Sequence, residues 1–140
     1  MIVQDVVKCT KSLKLLYVED EQLIQSVYSE LFVNFFDSIT VVNDGVEALE
    51  ELKNNKFDII ISDIKMPNMN GIDLVKHIRE KDKKICIIVY SAWDELESLK
   101  SSNELNICDY MSKPMQTDAM IKIFERVLCN KYGSNLEIRL

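Results

Sequence analysis

Apolar residues along this chain fall into two alternating rhythms. Short runs rich in branched side chains occur at 14–18 (KLLYV), 38–42 (SITVV), 57–62 (FDIIIS), 84–90 (KICIIVY) and 107–112 (ICDYMS), and they predict strands. The run Phe57, Ile59, Ile60, Ile61 is almost continuous, as expected of a central strand buried on both faces. Between the runs the apolar positions recur at helical spacing. Leu23, Ile24, Val27, Leu31 and Phe35 predict the buried face of a helix over about 21–36, and Val46, Leu49 and Leu52 that of a second, opened by the Asn43-Asp44-Gly45 turn with Asp44 as N-cap. Ile72, Val75 and Ile78 mark a third helix starting near Gly71. A fourth, over 94–103, is mostly polar and anchored by Leu96 and Leu99; the last, over 118–128, buries Ile121, Phe124 and Leu128. Strands alternating with helices make an α/β (βα)5 domain, a doubly wound parallel five-stranded sheet.

With 140 residues, the chain is long enough to bury a core as one domain. The domain is expected at 13–130, with an N-terminal extension (1–12) and a C-terminal tail (131–140) that each pack on the domain, dimerise it or fray. The net charge of −6, without a basic stripe, argues against direct nucleic-acid binding. Cys9, Cys86, Cys108 and Cys129 form no CxxC, and the single His77 cannot complete a Cys/His metal set. Reduced thiols and a cytoplasmic location are the expectation, since no apolar run approaches the roughly 18 residues of a membrane span and the start is a poor signal peptide.

In an open doubly wound sheet, ligands bind beyond the carboxyl ends of the strands. The residues there are Glu19 and Asp20 after the first strand, Asp63 after the third, Ser91 after the fourth and Lys113 after the fifth. Singly, each has an ordinary explanation: solvated acids, a turn serine, an exposed lysine. Together they put three carboxylates on one rim, where they repel one another unless a hard divalent cation such as Mg2+ sits among them. Asp63 could then attack phosphorus to form an acyl phosphate, with the Lys113 ammonium and the Ser91 hydroxyl meeting the phosphoryl oxygens.

The motifs LLYVEDE at 15–21, DIKMPNMNG at 63–71, YSAW at 90–93 and DYMSKP at 109–114 closely resemble those of the receiver domains of two-component response regulators, of the chemotaxis-regulator type. The resemblance implies a flavodoxin-like fold with strand order 2-1-3-4-5. It makes Asp63 the phosphoacceptor, Asp20 a direct Mg2+ ligand, Glu19 the holder of a metal-bound water, and the Lys65 backbone carbonyl a further ligand. Ser91 and Tyr110 become a switch pair, Lys113-Pro114 a cis peptide, and the faces of the fourth helix, fifth strand and fifth helix the output surface. The implied partners are a sensor histidine kinase or phosphotransfer protein and a downstream target protein, with no membrane; the chain is a monomer or a phosphorylation-dependent dimer. It is not an enzyme beyond its own phosphorylation and dephosphorylation.

One departure stands out: the family commonly enters the fifth strand through Gly-Ala, whereas this chain has NELNICDY. Lys65 and Trp93, two residues beyond Asp63 and Ser91, either tune water access to the phosphoryl group or merely cover the rim; bulky Trp93 is expected to slow self-dephosphorylation. His77 and the methionines Met66, Met69 and Met111 read as surface or packing residues. A stand-alone receiver leads, and a receiver within a larger regulator that binds DNA or carries an enzymatic output is the alternative. A phosphatase with an aspartate nucleophile wants a second acid where Lys65 stands, and a flavin carrier would not place EDE against a phosphate.

Overall fold

The computed structural model describes residues 3–100 and 106–129, excluding the side chains of Val3, Trp93 and Ser98. The elements run α1 (Val3–Thr10), β1 (Lys14–Val18), α2 (Gln22–Phe32), β2 (Ser38–Val42), α3 (Gly45–Asn54), β3 (Ile59–Asp63), α4 (Gly71–Lys81), β4 (Cys86–Ser91), α5 (Trp93–Lys100), β5 (Asp109–Ser112) and α6 (Thr117–Phe124), which continues into a π-helical turn, Glu125–Cys129. All strand pairs are parallel, in the order β2-β1-β3-β4-β5. The expected topology is therefore the observed one.

The strand period of two sorts the core into two layers. Leu15, Tyr17, Ile59, Ile61, Cys86, Ile88 and Tyr90 face α1, α2 and α6, where they meet Val6, Phe32, Phe36 and Phe124. Leu16, Val18, Ile60, Ile87 and Val89 face the other way, toward Ala48, Leu74, Val75, Ile78, Leu96 and Leu99. Every residue of β3 and β4 is buried, which explains why their sequences show no polar alternation.

Helix starts follow local chemistry. Asp44 caps α3 as expected, its Oδ1 accepting from the Glu47 N–H at 2.8 Å, and Asn70 caps α4 by accepting from the Asp73 N–H at 2.9 Å. The predicted face of the helix over 21–36 holds in part, since Leu31 packs on the core and Phe35 is buried, but its N-terminal half differs. Leu23 and Val27 are 83% and 62% exposed, and Val46 at the start of α3 is 52% exposed. The helix turns Tyr28 and Phe32 toward the sheet instead. Phe32 meets the Tyr17 ring edge-on at 5.0 Å and Tyr28 at 6.4 Å, while the Tyr28 hydroxyl accepts from the Met115 N–H at 3.0 Å. Two aromatic rings bury more area than Leu23 and Val27 and decide the rotation.

The N-terminal extension packs as α1 against α6 and the π-helical turn. Val6 is buried, and the Thr10 hydroxyl donates to the Phe35 carbonyl at 2.6 Å. The expectation of reduced thiols throughout is overturned here, because Cys9 of α1 and Cys129 of the π-helical turn form a disulfide with Cα atoms 5.2 Å apart across 120 residues of sequence. Linear spacing conceals this pairing, because the two cysteines meet only when both chain ends reach the same edge of the core. Cys86 is buried in β4 and Cys108 is exposed. Among the described residues, no helix is long and apolar enough to cross a membrane.

Candidate functional site

Parallel strands of similar length end together, so β1, β3, β4 and β5 bring their C-terminal residues to one rim. Asp63 and Ser91 are the last residues of β3 and β4; Glu19 and Asp20 follow β1, and Lys113 follows β5. A carboxylate oxygen from each of Glu19, Asp20 and Asp63 lies within 4.8 Å of the others. Lys113 Nζ is 2.9 Å from Asp63 Oδ2 and stands over the Tyr90 ring at 5.1 Å, while Asp63 Oδ1 accepts from the Lys65 N–H at 3.3 Å. The Lys113-Pro114 peptide is cis, as the resemblance implied.

Burial works against these charges. Desolvation pushes the Asp63 carboxyl above its usual range, although the Lys113 hydrogen bond and charge pull it back in part. Glu19 is wholly buried and is also pushed up by desolvation, despite accepting from the Tyr90 hydroxyl and the Glu21 N–H. Burial is the largest single effect on the Lys113 ammonium and lowers it, but the hydrogen bond to Asp63 and the charges of Asp63, Glu19 and Glu21 together outweigh it and leave it raised. Tyr90 itself is bridged to Tyr17, hydroxyl to hydroxyl at 3.3 Å, and desolvation raises both phenols so that they remain protonated donors.

Among the described residues, the buried side-chain oxygen with no hydrogen-bond partner is Asp20 Oδ1. Buried oxygens are almost always paired, so an orphan in a cluster of three carboxylates marks a position where a cation fits. The donor set is all oxygen, which suits a hard divalent ion such as Mg2+.

The loop behind Asp63 is tightly built. Gly71 N–H donates to the Ile64 carbonyl at 2.7 Å, and a Cβ at Gly71 would lie 2.4 Å from the Asp63 carbonyl oxygen, so only glycine lets α4 start so close to the acid. Asn68 takes a left-handed φ of 68° and donates to Asp44 Oδ2 at 2.8 Å.

The family model for the response regulator receiver domain matches residues 15–125. This chain belongs to that family. The Regulator of RpoS from Escherichia coli is 34% identical over 127 residues, covering 91% of this chain; the chain spans 37% of that protein's length. The chemotaxis response regulator CheY4 of Vibrio cholerae superposes with a TM-score of 0.75 at 28% identity, covering 84% of this chain and 100% of that one. The receiver domain of a sensor histidine kinase from Pseudomonas aeruginosa shares the fold, with a TM-score of 0.74 at 22% identity, covering 84% of this chain and 98% of that one; its structure has a magnesium ion coordinated in the active site cleft.

In this receiver, the sequence-predicted residues Glu19, Asp20, Asp63 and Lys113 converge as expected. Ser91 is on the rim, but its hydroxyl donates to Glu95 Oε2, and the Lys65 ammonium pairs with Glu95 Oε1 at 2.6 Å. Tyr110 is half-buried against the α4 and α5 layer, with Lys100 Nζ 5.7 Å above its ring. The Trp93 side chain lies outside the described residues, as do residues 101–105 of the glycine-free segment. That segment re-enters the described chain at Asn106, which takes a left-handed φ of 52° and whose carbonyl accepts from Arg79 at 2.7 Å. His77 is exposed on α4, and Met66, Met69 and Met111 pack in the core layers. A groove of about 650 Å³ lies between α3 and α4, with Leu49, Phe57, Met69 and Ile78 among its lining residues.

Two site residues went unassigned in the sequence reading. Tyr90 precedes Ser91 in β4 and read only as a strand aromatic, yet its hydroxyl holds Glu19. Glu95 stands in the first turn of α5, four residues past the end of β4, and no helical periodicity links it to Ser91.

Proposed function

We propose that this receiver accepts a phosphoryl group on Asp63 from the phosphohistidine of a sensor kinase or phosphotransfer protein and passes the signal through a protein-interaction face. One Asp63 oxygen attacks phosphorus, and the new O–P bond forms as the P–N bond to the donor imidazole breaks. The electron pair leaves with the imidazole. The observation that carries this reading is the Lys113 ammonium 2.9 Å from a nearly buried Asp63, beside a carboxylate cluster with an orphaned oxygen.

Glu19, Asp20, Asp63 and the Lys65 backbone carbonyl are the residues that would hold Mg2+, which when bound would supply positive charge for the phosphoryl oxygens. Lys113 orients Asp63 and meets one phosphoryl oxygen; the Ser91 hydroxyl meets another, and Tyr110 turns inward as Ser91 moves. On this reading the chain is a signalling acceptor, with only its own phosphorylation and slow self-dephosphorylation. Phosphorylation adds about two negative charges, and this biases the face of α5, β5 and α6 toward one packing.

The test is a phosphate-sized mass gain on incubation with Mg2+ and a small phosphodonor, present in the wild type and lost in Asp63→Asn. A wild type that stays unmodified overturns the proposal. A receiver within a longer regulator is the second reading, favoured by the 37% of the Regulator of RpoS that this chain spans. The length of the native protein distinguishes it from a stand-alone domain.

A further inference from the structure

The hydroxyl expected to meet the phosphoryl group is engaged elsewhere. Ser91 Oγ, buried at the end of β4, donates to Glu95 Oε2 in the first turns of α5, and Glu95 Oε1 pairs with Lys65 Nζ at 2.6 Å. Lys65 is two residues beyond Asp63, and its own N–H donates to Asp63 Oδ1. One carboxylate, its side chain 24% exposed, therefore holds a hydroxyl donor from β4 and an ammonium from the loop after β3. Ser91 carries the hydroxyl assigned above to a phosphoryl oxygen, and Lys65 brings a second ammonium, besides that of Lys113, into the chain next to Asp63.

We propose that Glu95 is a positioning residue for phosphoryl uptake, a latch that keeps the Ser91 hydroxyl and the Lys65 ammonium turned away from Asp63 until a phosphoryl group draws them off. The inference rests on the phosphoacceptor reading of Asp63. Its chemistry is a competition between anions: the carboxylate of Glu95 on one side, three phosphoryl oxygens on the other. Both hydrogen bonds to Glu95 are charge-assisted, so releasing them is a real cost of entry. The same negative charge also opposes the approach of an anionic phosphodonor. The latch thus sets how much donor is required before the domain fills, and it favours a donor delivered by a docked protein over small phosphoesters diffusing freely.

The experiment uses the full chain with Mg2+ and acetyl phosphate, whose P–O bond breaks as acetate leaves with the electron pair and Asp63 gains the phosphoryl group. Uptake is followed by mass as a function of donor concentration in the wild type, Glu95→Gln and Glu97→Gln. Glu97 is an exposed acid on the same helix, so its substitution makes the same change in net charge. Glu95→Gln is expected to fill roughly fivefold faster at low donor, through a lower half-saturating donor concentration more than a higher maximal rate. Glu97→Gln is expected to stay close to the wild type. Mg2+ affinity, read by Trp93 fluorescence, should be the same in all three and confirms intact folding. Equal rates for the three proteins, equal acceleration by both substitutions, or a slower Glu95→Gln overturns the latch while leaving Asp63 as acceptor. A wild type that takes up no phosphate overturns both.

Discussion

Lys113 Nζ lies 2.9 Å from Asp63 Oδ2, and the carboxylate it holds is only 2% exposed while the lysine is 30% exposed. The pair is thus asymmetric: the acid depends on the base more than the reverse. Lys113→Met leaves a buried carboxylate without its charge partner, at a cost of about 1–3 kcal/mol near neutral pH. The Asp63 pKa, already raised by burial, rises further. Side-chain carboxyl NMR across a pH titration should show that rise, and uptake of phosphate should fall at least tenfold. An unchanged Asp63 titration in Lys113→Met would contradict the electrostatic account.

Asp20 Oδ1 has no protein partner, so a cation supplies what the fold withholds. Mg2+ at ten times its Kd is expected to stabilise the wild type by about 1.4 kcal/mol, seen as a rise in Tm. Asp20→Asn removes that gain. It also relieves repulsion from Glu19 and Asp63, so the metal-free variant should be at least as stable as the metal-free wild type. A variant that keeps the full response to Mg2+ would move the cation elsewhere.

Gly71 starts α4 against the backbone of Asp63 and Ile64, and an added Cβ would lie 2.4 Å and 2.7 Å from their atoms. Neither neighbour is a flexible side chain that could swing aside. Gly71→Ala should therefore destabilise by about 1–3 kcal/mol and displace Asp63. Denaturant unfolding measures the first effect and phosphate uptake the second. Stability within experimental error of the wild type would show that the loop relaxes freely.

The Asp44 carboxyl is held below its usual range, first by the Glu47 N–H it accepts as the cap of α3. A carboxyl lowered on folding adds stability that is present above its unfolded pKa and lost as pH falls through the lower folded value. Asp44→Ala should cost about 1 kcal/mol at pH 7. That difference from the wild type should shrink below about pH 4 and vanish once the wild-type cap is protonated, since the unfolded value is about 3.9. Urea unfolding at several pH values checks it.

Cys9 and Cys129 close a loop across 120 residues. On a chain-entropy account, opening a loop of that length removes nearly 5 kcal/mol of stability. Reduction, or Cys129→Ser, should lower the denaturation midpoint with little change in the acid rim. Two thiols should react in unfolded, unreduced protein and four after reduction. Four before reduction would rule the bond out.

The sheet and its rim are largely legible in the amino-acid sequence. β1 and β2 run over the residues expected, and β3 and β4 are buried throughout, because strand patterns follow from local side-chain periodicity. The acids, Ser91 and Lys113 converge because parallel strands in register must end together. The rotation of α2 was not legible. Leu23 and Val27 make as good an apolar stripe as Tyr28 and Phe32, and only the aromatic neighbours Tyr17 and Tyr90 break the tie.

What the sequence by itself determined is therefore the order of strands and helices, the cap at Asp44, and the identity of the residues on the carboxyl-end rim, since all of these depend on near neighbours along the chain. Only the tertiary structure decided that Cys9 meets Cys129, that the Tyr90 hydroxyl holds Glu19, and that Glu95 engages both Ser91 and Lys65. Those pairings depend on how separate segments are brought together in space, and no local periodicity encodes such distances.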